Sequence, residues 1–315
     1  MRRTIPGLVF LVMSAALAAE RPPTLLDHIQ NSGLPSGQRD ELAHLLAAKD
    51  FAGMEAVLEH PPAAESPPVA AERHALAGAV EFLEGQMYRA AQSFRVSDSL
   101  APLDDTDRFT WAMALVRLGD AKSAREQLMR LDVAHPDNPF YLYWLARIDY
   151  TERLYGPAIE KLRRVIRIDP QASRAYDNLG LAFDMMGQFD EARDAFVKAV
   201  DLNRSLSKPS AWPPHNLGYL LLRLQQPKEA ENALRESLKY DPGFATAHYH
   251  LGRTLEAEGR DDEAIGEYRV AISLDNALIE PLYSLGLLYR RQGRKAEADA
   301  AFVEYKSRKS QSAAH

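Results

Sequence analysis

The chain has 315 residues, 46% hydrophobic and 26% charged, with no cysteine and a net charge of −6. That length suits two ordinary domains or one elongated repeat protein, and the chain is too apolar to be disordered. The acidic balance argues against a nucleic-acid binder that works by neutralising phosphates, and the missing cysteines exclude disulfides, thiolate catalysis, iron–sulfur clusters and cysteine-ligated zinc.

Residues 1–20 read MRRTIPGLVFLVMSAALAAE. Arg2 and Arg3 precede an apolar stretch from Gly7 to Leu17, and the small-residue run Ala16-Leu17-Ala18-Ala19 closes it. This order predicts a secretory signal peptide over 1–18, cleaved after Ala18 or Ala19. The alternative is an uncleaved anchor, for which the run is about half of the roughly 20 residues a span needs. Cleavage would take the net charge from −6 to −8. No later apolar run has membrane length, so we expect a soluble mature protein in the periplasm or outside the cell.

Between residues 19 and 70 we expect a linker and degenerate capping helices. Residues 38–59 hold two short helical patterns, Leu42, Leu45, Leu46 and then Met54, Val57, Leu58. A degenerate repeat acting as a cap is the preferred reading, because terminal repeats must be atypical. The run HPPAAESPPVA at 60–70 reads as a linker or long turn.

From residue 71 the chain repeats itself. Ala90, Ala124, Ala158, Ala192, Ala230, Ala264 and Ala298 are spaced by 34, 34, 34, 38, 34 and 34 residues. Twelve residues upstream, in step, run Gly78, Ala112, Ala146, Gly180, Gly218, Gly252 and Gly286. Four residues downstream run Phe94, Leu128, Leu162, Phe196, Leu234, Tyr268 and Phe302. Each unit reads as two amphipathic helices: Tyr176, Leu179, Gly180 and Phe183 recur at helical spacing, as do Ala192, Phe196 and Ala199, with Gly187-Gln188 as the break between them. Small residues let the two backbones approach while large neighbours fill the space around them. One pair cannot bury its apolar face, so stacking of neighbours makes the array stable.

Leu179-Gly180-x-x-Phe183 with Ala192, Phe196 and Ala199, and again Leu251-Gly252 with Ala264, Tyr268 and Ala271, resemble the tetratricopeptide repeat family. The resemblance implies an all-α, right-handed superhelical solenoid with seven units over 71–306, starting at 71, 105, 139, 173, 211, 245 and 279. Glu81 and Asp149 stand where the family pattern is usually apolar, so helix ends are expected to shift there. The four-residue insertion lies in LSKPSAWPP at 206–214, where Trp212 is either an exposed anchor or packing over the lengthened junction. The polar tail over 307–315 is expected to be flexible. With no further helix after Phe302, an apolar edge near Leu288, Phe302 and Val303 is either tolerated or covered by a partner or a second copy, a possible route to oligomers.

The resemblance further implies that the first helix of each unit lines a concave, peptide-binding groove. The groove residues would be Tyr143, Trp144, Arg147 and Tyr150 in the third unit, and Arg174 and Asn178 in the fourth. The fifth would add His215, Asn216, Tyr219 and Arg223, the sixth Tyr249, His250 and Arg253, and the seventh Tyr283 and Arg290. Tyr, Trp and Arg suit protein recognition, and Asn can hold an extended backbone through donor and acceptor together. The set that clamps a terminal carboxylate in one subclass would be Tyr143, Arg147, Asn178, Trp212 and Asn216 here. It holds a single cation, so binding of chaperone C-termini is not expected. Across the array, seven inward arginines against five acids favour an acidic or mixed-charge peptide.

No hydrolase, zinc-protease, phosphate-loop or dinucleotide motif occurs. His248 and His250 lie two apart, on different helix faces. His215 and His250 occupy inward positions of successive units, where solvated histidines are a better expectation than a metal site. The resemblance, taken with the predicted leader, implies a non-catalytic, cofactor-free scaffold of the cell envelope that binds a protein or peptide, without nucleic acid or a membrane span in the mature chain. The alternative is a structural subunit acting through the array ends and convex face.

Overall fold

The computed structural model describes residues 24–61 and 65–313. The expected signal peptide lies outside the described residues. Those residues form seventeen helices and no strand, an all-α solenoid, and none of the helices is long and apolar enough to cross a membrane. The chain divides into two compact units, the first ending at Arg153 and the second starting at Leu154.

The first unit contains α1 (Leu25–Asn31), α2 (Ser36–Ala48), α3 (Phe51–Leu58), α4 (Pro67–Leu83), α5 (Met87–Leu100), α6 (Asp105–Leu118), α7 (Ala121–Ala134) and α8 (Pro139–Thr151). Helix α1 falls in what the sequence marks as linker. Its signal is a capping box: the Thr24 hydroxyl accepts from the Asp27 amide while the Asp27 carboxylate accepts from the Thr24 amide. Ile29 of α1 joins Leu42, Met54 and Leu58 in one core with Leu76 and Val80 of α4. The linker is shorter than expected as well, because Pro67 and Pro68 open α4 instead of preceding it.

The second unit contains α9 (Tyr155–Ile168), α10 (Ser173–Met185), α11 (Phe189–Arg204), α12 (Trp212–Arg223), α13 (Pro227–Tyr240), α14 (Ala245–Ala257), α15 (Asp261–Leu274), α16 (Glu280–Arg291) and α17 (Lys295–Ala313). Pairing depends on the glycine column. A Cβ on Gly180 would stand 2.6 Å from the Phe196 ring, one on Gly252 2.6 Å from Tyr268, and one on Gly286 2.6 Å from Phe302. The aromatic ring of the second helix therefore lies against bare backbone of the first. Each helix pair of this unit turns through a residue with positive φ, which is Gly187, Gly259 or Gly293 in three pairs and Gln225 in the fourth.

Helix ends do not shift at Glu81 or Asp149. Both side chains are buried in place by charge partners: Glu81 by Arg89 and the Ser93 hydroxyl, Asp149 by Arg125. The insertion is clamped by buried Asn203, whose amide donates to the Ser210 carbonyl and accepts from the Ser210 amide. Beyond it Trp212 is half-exposed, with its ring edge-on to Phe244 at 4.7 Å.

The C-terminal end departs from expectation. Helix α17 continues to Ala313, so residues 307–313 are helical where the polar composition suggested a flexible tail. Leu288 is fully buried among Leu255, Tyr268 and Ala298, and Phe302 is half-buried against Tyr283. Of the expected apolar edge only Val303 is exposed, at 67%.

Candidate interaction site

In the second unit the first helices α10, α12, α14 and α16 carry most of the residues singled out from the sequence. Their deepest layer is polar. The Asn216 amide donates to Asp177 Oδ1 at 3.0 Å, and the Asn216 oxygen lies 3.1 Å from His215 Nδ1. His215 Nε2 lies 3.0 Å from His250 Nδ1. With neutral imidazoles, only one proton order satisfies the chain: His250 Nδ1–H donates to His215 Nε2, and His215 Nδ1–H donates to Asn216. One hydrogen-bonded line thus ties the fourth, fifth and sixth repeats together.

This corrects the reading of His215 and His250 as solvated groove residues. They are 5% and 8% exposed, and Asn216 is buried beside them. Burial pushes His215 down to about 4, while burial and the neighbouring His215 and Arg253 charges lower His250. Burial raises Asp177 to about 6 against the favourable Asn216 hydrogen bond. Tyr219 stacks on His250 with centroids 4.4 Å apart. The cluster is a packed element beneath the surface.

Above it, the charges separate into engaged and open groups. Arg223 grips both oxygens of Asp184 at 2.7 and 2.6 Å and lies over the rings of Phe189 and Tyr219. Glu256 accepts from the Tyr268 hydroxyl at 2.8 Å and from Arg291 at 3.0 Å. Asn178 donates to the Arg174 carbonyl one turn back. Arg174, Arg253 and Arg290 are exposed and have no ion-pair partner among the described residues. Arg253 lies 6.0 Å from the Tyr249 centroid and Arg290 5.7 Å from the Phe302 centroid. Tyr283 is exposed and packs against Phe302, the ring that Arg290 also faces.

In the first unit, Tyr143, Trp144, Arg147 and Tyr150 all lie on α8. Trp144 is only 7% exposed, packed by Tyr143 at 5.9 Å and Phe109 at 6.3 Å, with its indole N–H buried and unpaired. It is a core residue, which corrects its place among groove contacts. Arg147 caps its ring at 4.9 Å, and Tyr143 and Tyr150 are half-buried. Phe109 and Tyr141, which the sequence reading passed over, complete this aromatic cluster with ring centroids 6.1 Å apart. Phe109 occupies the fifth position of its unit, as Tyr143 does in the next, and that is the signal that could have found it.

Profiles described as tetratricopeptide repeat match residues 109–173, 173–206, 215–278 and 279–311. The chain belongs to the tetratricopeptide repeat family. A tetratricopeptide repeat protein from Parabacteroides merdae has a similar structure, with a TM-score of 0.63 at 14% identity over 84% of this chain and 98% of that one. PilW, a widely conserved type IV pilus biogenesis factor, superposes with a TM-score of 0.59 at 20% identity, covering 64% of this chain and 92% of its own. At such identities the likeness shows the shared fold. Protein O-mannosyl-transferase Tmtc3 of Drosophila melanogaster is 28% identical over 149 residues, 47% of this chain. The match covers 16% of that protein, so the chain spans about a sixth of its curated relative. A tetratricopeptide array offers rigid helix faces for protein partners, and here the open arginines and tyrosines of α10, α14 and α16 lie on such a face.

Proposed function

We propose that this tetratricopeptide repeat protein is an exported, non-catalytic scaffold that holds an acidic or mixed-charge polypeptide segment on the first-helix face of its second unit. The charge balance of that face carries the reading. Asp177, Asp184 and Glu256 are engaged within the protein, Asp177 by the Asn216 amide and the other two by arginines, whereas Arg174, Arg253 and Arg290 present open guanidinium groups without an ion pair among the described residues. The guanidinium of Arg253 beside Tyr249, and that of Arg290 on the Phe302 ring that Tyr283 packs against, give planar contacts that lose little rotamer freedom on binding. Export, to the periplasm or beyond, rests on the composition of residues 1–18. A role in an envelope assembly is of the same kind as that of PilW, the pilus biogenesis factor that shares this fold.

A second reading, assembly through the convex face and the array end, draws support from Val270, Leu274 and Val303, which are exposed on second helices. Crosslinking in the native host, with captured partners identified by mass spectrometry, separates the two. We expect Arg253→Ala/Arg290→Ala to lose a partner that wild type captures, while keeping its helical circular dichroism. A folded double variant with the wild-type partner set would overturn the face reading. Self-crosslinks removed only by Val270→Asp/Val303→Asp would then support assembly.

A further inference from the structure

We propose that the first unit holds a divalent transition-metal ion between His28 of α1 and Asp104 and Asp107 at the start of α6. The segment Leu103-Asp104-Asp105-Thr106-Asp107 begins that helix, with Asp104 as N-cap accepting from the Asp107 amide at 2.8 Å. Acids in a first turn complement the helix dipole from solvent, and this accounts for exposed Asp104 and Asp105. It does not account for Asp107, which is 4% exposed. The Asp107 carboxylate accepts no hydrogen bond among the described residues. Its nearest basic group is His28 Nε2, at 3.6 Å, beyond hydrogen-bond reach.

A carboxylate buried without a donor is unfavourable as a bare anion and is neutralised by a proton or by a bound cation; the groups around Asp107 offer the second. The nitrogen of His28 and one oxygen each of Asp104 and Asp107 lie within 4.8 Å of one another. Donors bound at about 2.0–2.2 Å to one ion stand roughly 3–4 Å apart, so the His28–Asp107 spacing is that of two ligands on a shared ion. One imidazole with two carboxylates suits Zn²⁺, Co²⁺ or Mn²⁺ rather than Ca²⁺ or Mg²⁺, which take oxygen alone. Water would complete the coordination. The neighbouring Asp105 is outside the set, held by His135 at 2.6 Å. An ion here would join the N-terminal helix to the second repeat, because its ligands come from α1 and from the start of α6.

The test is titration of the full, untagged chain with CoCl₂ after chelator dialysis, following visible d–d absorption, with Zn²⁺ as competitor. The proposal expects saturation at one equivalent, displacement by Zn²⁺, and at least about tenfold weaker binding in His28→Ala and in the near-isosteric Asp107→Asn. Asp105→Asn should bind like wild type. Circular dichroism verifies that each variant is folded. No saturable absorption in wild type, or undiminished binding in folded Asp107→Asn, would overturn the site.

Discussion

Replacing Gly252 by alanine tests the repeat where its two helices come closest. The new Cβ would stand 2.6 and 2.7 Å from two ring carbons of Tyr268 and 3.2 Å from the Ala264 carbonyl oxygen. Tyr268 cannot retreat, since it is fully buried and its hydroxyl is anchored on Glu256 at 2.8 Å. Overpacking of this kind costs about 1–3 kcal/mol, and the better helix propensity of alanine returns about 0.8–1 kcal/mol. The net expectation is a loss of up to about 2 kcal/mol. Gly266 in α15 is the internal control, because a Cβ there meets nothing within 4 Å. The same substitution at Gly266 should raise stability by about 0.8–1 kcal/mol. Urea unfolding followed by circular dichroism reads both changes as shifts of the midpoint in opposite directions. If Gly252→Ala stabilises the protein as Gly266→Ala does, the close approach is not what requires glycine, and the reasoning fails.

Other consequences are open to measurement. Gln225 holds φ at 60° in the turn where the next repeat has Gly259 at 77°, so Gln225→Gly should gain about 0.5–1 kcal/mol in the same assay; a loss would mean that the side chain outweighs the backbone strain. Asn203→Ala orphans both backbone groups of Ser210 and should cost about 2 kcal/mol, with faster amide exchange over residues 205–211; unchanged exchange there would refute the clamp. His215, ordinarily near 6.5 and held at about 4 in the fold, and His250, also lowered, contribute stability that is present above pH 6.5 and lost as pH falls towards 4. Asp177, raised from 3.8 to about 6, runs the other way, its contribution being fully present below pH 3.8 and lost as pH rises through 6. Together the three should lower stability by about 1.4 kcal/mol per pH unit between 6 and 4. His215→Gln/His250→Gln should abolish that decline, and a parallel decline in both proteins would show that the pair is solvated.

Period, helix type and the alternation of small and large residues are local properties of the chain, which is why the repeat and its family could be read from it. Gly180 and Phe196 lie sixteen residues apart in one unit, and their contact follows from the helix pair alone. Helix α1 escaped because seven residues are too few to show apolar periodicity, and only the Thr24–Asp27 box marks it. The surface was harder to read for a different reason. Arg223 is engaged by Asp184, 39 positions earlier, and Arg291 by Glu256, 35 positions earlier. An arginine that looks open in its own repeat is thus neutralised by the preceding one. Burial of His215 and His250 likewise depends on neighbouring repeats.

The sequence by itself determined the repeat, its helix pairs and the chemistry available on each first helix, because these depend on spacing within one unit. Only the tertiary structure decided which of those side chains remain open. Asp107 and His28, 79 positions apart, share no pattern in the chain and meet only when the N-terminal helices fold onto the array. Burial and charge pairing are set by whatever a neighbouring element brings alongside, and no local period encodes that.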